Sequence, residues 1–171
     1  NHQSGNVGKA VAATEIKISE EGEILAKGDQ MLQAYYKNPE ATRATLRDGW
    51  LYTGDIGYVD EDGYFFITER KKDIIIKAAE NISPREIEEV LFTNPKVFEA
   101  AVVGTKDDIY GEDIKAFVVL KPGEQATAEE IIRHCRARLK TFKTPREVHF
   151  VDNLPKNLLG KVLKKELRKM E

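Results

Sequence analysis

The spacing of apolar and polar positions changes part-way along this chain. From Thr14 the segment VAATEIKIS alternates apolar with polar residues, and Glu23–Lys27 repeats the alternation after an EEGE turn, which predicts two strands. Residues 57–68, GYVDEDGYFFIT, hold Asp60-Glu61-Asp62-Gly63 between two β-branched and aromatic runs. Glycine supplies the positive φ of a tight turn, so this segment reads as a hairpin. Residues 73–77 read as a further strand.

Beyond that point the period becomes helical. Ser83-Pro84-Arg85-Glu86 has the form of a capping box with proline at the first helical position, and Ile87, Val90 and Leu91 then share one face. Thr127-Ala128-Glu129-Glu130 repeats the device ahead of Ile131, Cys135 and Leu139 at four-residue steps, which makes Cys135 a small core residue. Leu163, Leu167 and Met170 mark a last short helix. Residues 98–104, 114–120 and 147–151, rich in Val, Phe and Ile, read as strands between the helices. The expected fold class is α+β: a β-rich piece over residues 1–70, then a compact α+β piece over 71–171 with a short sheet and about three helices.

Composition narrows the class. With 41% hydrophobic and 33% charged residues the chain is neither disordered nor membrane-spanning, since no apolar run approaches the ~20 residues that cross a bilayer. No secretory leader is visible. One cysteine cannot form an internal disulfide, and His2, His134 and His149 with one thiol make no metal cluster, so the expectation is a cytoplasmic protein with no metal site. Net charge is −2, yet residues 140–171 carry nine Lys/Arg against four acids. That basic end is either a solvated helix face or a surface for phosphates.

No catalytic set is complete from the residues alone: there is no Ser/His/Asp ordering, no GxGxxG and no GxxxxGK[ST] loop. Several segments taken together, however, resemble one family. DGWLYTGDIGYVDEDGYFFITERKKDIII and the preceding MLQAYYKNPEATRATLRDGW resemble the closing part of the large domain of adenylate-forming enzymes, and LPKNLLGKVLKKEL resembles their C-terminal lysine motif. That superfamily includes acyl-CoA synthetases, aryl-CoA ligases, luciferases and peptide-synthetase adenylation domains. The segments follow in the family's order and spacing across nearly the whole chain.

The resemblance implies a large N-terminal domain and a small C-terminal lid joined at a hinge, working in two half-reactions: a carboxylate attacks the α-phosphate of ATP, then the thiol of CoA attacks the acyl carbon. Lys161 resembles the lysine that reaches the α-phosphate and carboxylate, Asp55 the carboxylate that accepts from the ribose hydroxyls of AMP, and Arg70 the arginine beside that nucleotide. Lys72 resembles the hinge pivot. Ala78, Ala79 and Glu80 stand where the family lines the passage for the pantetheine arm of CoA. On their own residues, Asp55 would be a turn aspartate, Arg70 a strand-end charge, Lys72 a solvated lysine and Lys161 a helix-start lysine.

The implied partners are ATP or AMP, Mg2+ with ATP, CoA, a small-molecule carboxylate and the rest of the enzyme's N-terminal domain, with no nucleic acid and no membrane span. The phosphate loop, adenine-contacting motif and acyl pocket are absent from these residues, so the chain alone is expected to be inactive. Alanine stands at positions 10, 12, 13, 34 and 79, and glutamate at 69, where the family usually has Gly or Pro. The ISPREIEE and YGEDIKAFVVLKPGE segments favour a fatty or medium-chain acyl-CoA synthetase over a peptide-synthetase domain. A non-catalytic nucleotide- or CoA-binding module, or a structural lid, is the alternative.

Overall fold

The computed structural model describes residues 6–170 and divides into two compact units between Lys72 and Asp73. His2 lies outside the described residues.

The first unit is one antiparallel sheet of β1 (Asn6–Gly8), β2 (Glu15–Ile18), β3 (Glu23–Lys27), β4 (Leu46–Arg47), β5 (Trp50–Val59) and β6 (Phe65–Arg70), in the order β1-β6-β5-β3-β2 with β4 on β5. β3 is buried from Glu23 to Ala26. The β5–β6 hairpin turns where its acidic run predicts: Gly63 has φ 81° and Asp60 Oδ1 accepts the Tyr64 N–H at 2.8 Å. Tyr58 stacks on Phe66 at 4.9 Å between ring centroids.

Two features of this unit differ from expectation. The strand expected over residues 11–19 forms only over Glu15–Ile18, because Ala13 sits at φ 60° in a turn. A helix not read from the pattern, α1 (Pro39–Thr45), follows Asn38, whose Oδ1 accepts the Ala41 N–H at 3.0 Å. Asn38-Pro39 is a start signal, but α1 buries no residue, so no apolar stripe announced it.

The second unit contains β7 (Ile75–Lys77), β8 (Glu80–Ile82), α2 (Pro84–Phe92), β9 (Val97–Asp107), β10 (Gly111–Leu120), α3 (Ala128–Arg136), β11 (Glu147–Phe150) and α4 (Lys164–Leu167). The sheet order is β11-β10-β7-β8 with β9 on β10, and β10–β11 is the parallel pair. Strands β9 and β10 are longer than their apolar runs because they continue to a shared turn, with Gly111 opposite Asp107.

Both faces of this sheet are covered, which explains why its strands read as continuous apolar runs rather than alternating ones. Ile87 and Leu91 of α2 and Ile131 and Cys135 of α3 pack with Val102, Ala116 and Val118. On the other side Leu154, Val162 and Leu167 of the C-terminal segment pack with Ala101, Val103 and Phe117. Leu91 and Leu167 are completely buried, so truncating either to alanine would cost about 2–5 kcal/mol.

The two helix starts behave differently. At Thr127 the capping box is complete, with both reciprocal hydrogen bonds present. At Ser83 the proline is in place but the serine side chain makes no capping bond. The Glu86 carboxylate that would close that box instead meets Lys143 Nζ at 2.5 Å. In the last helix only Leu167 is buried, while Leu163 is the residue before it and Met170 is exposed.

Candidate functional site

In the first unit the candidate residues meet at a break in β5. Gly54 has φ 76°, and the β5–β6 register shifts between Ile56 and Gly57. A bulge re-aims the residues around it. Thr53 Oγ1 donates to Ile24 O at 2.7 Å and accepts the Asp55 N–H at 3.1 Å. The Gly54 N–H donates to Glu23 Oε1 at 2.9 Å. These bonds leave Asp55 directly opposite Arg70, with Arg70 Nε 3.7 Å from Asp55 Oδ1.

Thr53, Gly54, Asp55, Arg70, Lys71 and Lys72 line a cleft of about 520 Å³. The Asp55 side chain is 29% exposed and that of Arg70 47% exposed, so both remain accessible. An acceptor-only carboxylate beside a guanidinium suits a ligand that carries vicinal hydroxyls next to an anion. Lys71 Nζ is 2.6 Å from Glu21 Oε2 and 3.0 Å from Glu23 Oε2. The Glu21 hydrogen bond, then that of Glu23, raises the Lys71 pKa, and the Lys71 bond holds Glu21 below the ordinary carboxylate value. Lys72 is exposed at the end of this run, just before the boundary between the units.

In the second unit Ala78 and Ala79 form the turn between β7 and β8, with Lys77 opposite Glu80. Ala78, Ala79 and Glu80 are all exposed. The turn is stitched to the β9–β10 hairpin: the Ala78 N–H donates to Tyr110 O at 2.9 Å, and Gly111 pairs with Lys77. Beneath it the nearly buried Asp113 carboxylate takes Lys77 Nζ at 2.5 Å on one oxygen and Arg146 Nη1 at 3.3 Å on the other. Arg146 also reaches Asp107 at 2.7 Å. Hydrogen bonding to Asp113, then attraction to Asp107, raises its pKa.

Lys161 stands on a tight loop closed by the Lys156–Val162 bridge. Asn157 Oδ1 accepts the N–H groups of Leu159 and Lys161 at 3.0 and 2.9 Å, and the Asn157 N–H donates to Lys161 O at 2.9 Å. Gly160 takes φ 79° in the same loop. Neighbouring cations are engaged, Lys156 with Glu99 and Lys164 with Glu88. The exposed Lys161 ammonium has no ion-pair partner among the described residues. Much of the basic end is therefore structural, and Lys161 is a cation left available in it.

The structure thus gathers Asp55, Arg70 and Lys72 along one cleft, places Ala78, Ala79 and Glu80 in one turn, and sets Lys161 on a separate ordered loop. Glu23 and Asn157, which hold two of these groups, were not singled out from sequence. Among the described residues no group of three His, Cys, Asp or Glu is placed to hold a metal, and no helix is long and apolar enough to cross a membrane.

The chain matches the AMP-binding enzyme C-terminal domain family over residues 86–161. It is 49% identical, over 89% of its length, to a long-chain-fatty-acid–CoA ligase of Bacillus subtilis strain 168. The chain belongs to the adenylate-forming superfamily and represents its C-terminal portion. Another adenylate-forming relative, a 2-succinylbenzoate–CoA ligase of Bacillus cytotoxicus, is 43% identical over 97% of the chain. The chain spans 27% and 36% of these two relatives.

Solved adenylate-forming structures agree. ATP-bound MatB from Rhodopseudomonas palustris superposes with a TM-score of 0.88 at 35% identity, covering 96% of this chain and 35% of that one. The o-succinylbenzoate CoA synthetase MenE from Bacillus subtilis, in complex with its acyl-adenylate intermediate, gives 0.81 at 35% identity, covering 98% and 36%. The α+β fold is that of the superfamily's C-terminal portion.

Proposed function

We propose that this chain is the C-terminal part of an AMP-forming acyl-CoA synthetase, which activates a carboxylate with ATP and transfers the acyl group to CoA. One observation carries the reading: Asp55 and Arg70 face each other across β5 and β6 at a cleft lined by the Thr53-Gly54-Asp55 bulge. In this reading Asp55 accepts from both ribose hydroxyls of the nucleotide, and Arg70 supplies positive charge beside it.

Lys161 stabilises the first half-reaction. A carboxylate oxygen attacks the α-phosphorus, the bond to pyrophosphate breaks, and negative charge grows on the transferring oxygens. A compact ammonium on a preorganised loop favours that charge. The CoA sulfur then attacks the acyl carbon, and AMP leaves with the carboxylate oxygen it gained. Lys72 is the pivot between the arrangements serving the two steps, and Ala78, Ala79 and Glu80 border the pantetheine arm. Mg2+ accompanies the triphosphate. A large N-terminal domain, as in the longer relatives, supplies the phosphate loop and acyl pocket, and the buried thiol fits a cytoplasmic setting.

The test joins this chain to the N-terminal portion of the Bacillus subtilis long-chain-fatty-acid–CoA ligase and measures carboxylate-dependent ATP–pyrophosphate exchange. The joined enzyme should exchange with a fatty acid and the 171-residue chain alone should not. A folded chimera without exchange on any carboxylate, or exchange by the isolated chain, would overturn the proposal.

A further inference from the structure

Glu23 is 3% exposed at the first position of β3, and the next three residues of the strand are apolar and buried. Desolvating a carboxylate is unfavourable by several kcal/mol unless hydrogen bonds and an opposite charge offset it. Packing of β3 alone needs no charge there. Both oxygens of Glu23 are used, and each reaches a different part of the cleft. Oε1 accepts the N–H of Gly54, in the bulge where β5 and β3 fall out of register. Oε2 takes Lys71 Nζ at 3.0 Å, the residue directly after Arg70.

We infer that Glu23 is a positioning residue that sets the spacing of Asp55 and Arg70 for the nucleotide. This rests on reading their cleft as the nucleotide site. The segment carrying Asp55 and the strand end carrying Arg70 share Glu23 as a common tether. Glu21 holds the outer side of Lys71 at 2.6 Å, so the lysine cannot swing into the cleft without breaking two ion pairs. Thr53 completes the frame through its bond to Ile24 O. Glu23 itself touches no ligand: it acts through the two residues that do.

The experiment is a double-mutant cycle in the complete ligase carrying this chain, reading the ATP KM and the maximal rate of carboxylate-dependent pyrophosphate exchange. Glu23→Gln keeps an acceptor for Gly54 but removes the charge that holds Lys71. It should raise the ATP KM about 5- to 20-fold, as expected for loss of one charged hydrogen bond, with a smaller change in maximal rate. Asp55→Asn should raise the same KM. In the Asp55→Asn background Glu23→Gln should then add less than about 2-fold, since coupled residues are not additive.

An equal effect of Glu23→Gln in both backgrounds would assign it a purely structural role and overturn the inference, as would no effect in either. An Asp55→Asn enzyme with an unchanged ATP KM would instead overturn the nucleotide-site reading itself. Should Glu23→Gln fail to fold, Lys71→Gln cuts the same tether from its exposed end and passes through the same cycle with the same two readings.

Discussion

Ala78 and Ala79 occupy successive left-handed positions, at φ 51° and 66°, in the two-residue turn that joins Lys77 to Glu80. Positive φ at both central residues is the pattern of a type I′ hairpin, which favours Asn-Gly or Asp-Gly because a Cβ is crowded there by about 1–2 kcal/mol per residue. The chain uses that chemistry elsewhere, at Asp48-Gly49 with φ 50° and 77° between Arg47 and Trp50. Ala79→Gly should therefore raise the stability of the second unit by about 1 kcal/mol, read from chemical denaturation. In the complete ligase it should also speed the thioester half-reaction and leave pyrophosphate exchange unchanged. An unaltered thioesterification rate would show that the methyl does not obstruct CoA.

If Lys161 has the role proposed for it, Lys161→Ala in the complete ligase should slow adenylation by about 10²- to 10³-fold, the loss expected when a group that stabilises developing charge is removed. Thioester formation from preformed acyl-adenylate should continue at close to the parent rate. Rapid-quench assays of the two half-reactions distinguish this from a general defect, which would slow both alike.

Cys135 is fully enclosed between α3 and the sheet, and burial pushes its thiol up to about 11. At pH 8 almost none of it is thiolate, the form that reacts. A disulfide reagent should modify the native chain only as fast as it opens, and modify the denatured chain within the mixing time. Rapid labelling of the folded chain at pH 8 would contradict the packing described.

Asp107 caps the β9–β10 turn, accepting the N–H groups of Tyr110 and Ile109, and those bonds, with Arg146 a lesser cause, hold its carboxyl below the ordinary 3.8. A depressed folded pKa contributes stability that is present above the unfolded value and is lost as pH falls through the folded one. Acid should therefore loosen this turn only as the pH falls below the ordinary carboxyl value, because the folded Asp107 keeps its charge to lower pH than a free aspartate. Amide exchange at Tyr110 and Ile109, normalised for the intrinsic rate, should rise there and stay level between pH 5 and 7. Asp107→Asn should weaken the acid response.

What local sequence determined is what short-range chemistry settles. The hairpin at residues 57–68 needed only Asp60 and Gly63 between apolar runs, and α3 needed Thr127, Glu130 and a four-residue apolar step ending in the buried Cys135. The segments that resemble the family's C-terminal motifs were legible too, with Asp55, Arg70 and Lys161 as residues to examine. The tertiary structure decided which of these share a site and what holds them. Glu23 reads as an ordinary polar position of a strand until Gly54 and Lys71, 31 and 48 residues away, close on its two oxygens. The left-handed Ala78-Ala79 turn is likewise invisible in a residue type that avoids it. It forms because β7 pairs with β8 on one side and meets Gly111 on the other, and because Tyr110 receives the Ala78 N–H. Pairing of distant strands fixes backbone geometry there against local preference, since the hydrogen bonds of the sheet outweigh the strain of one turn.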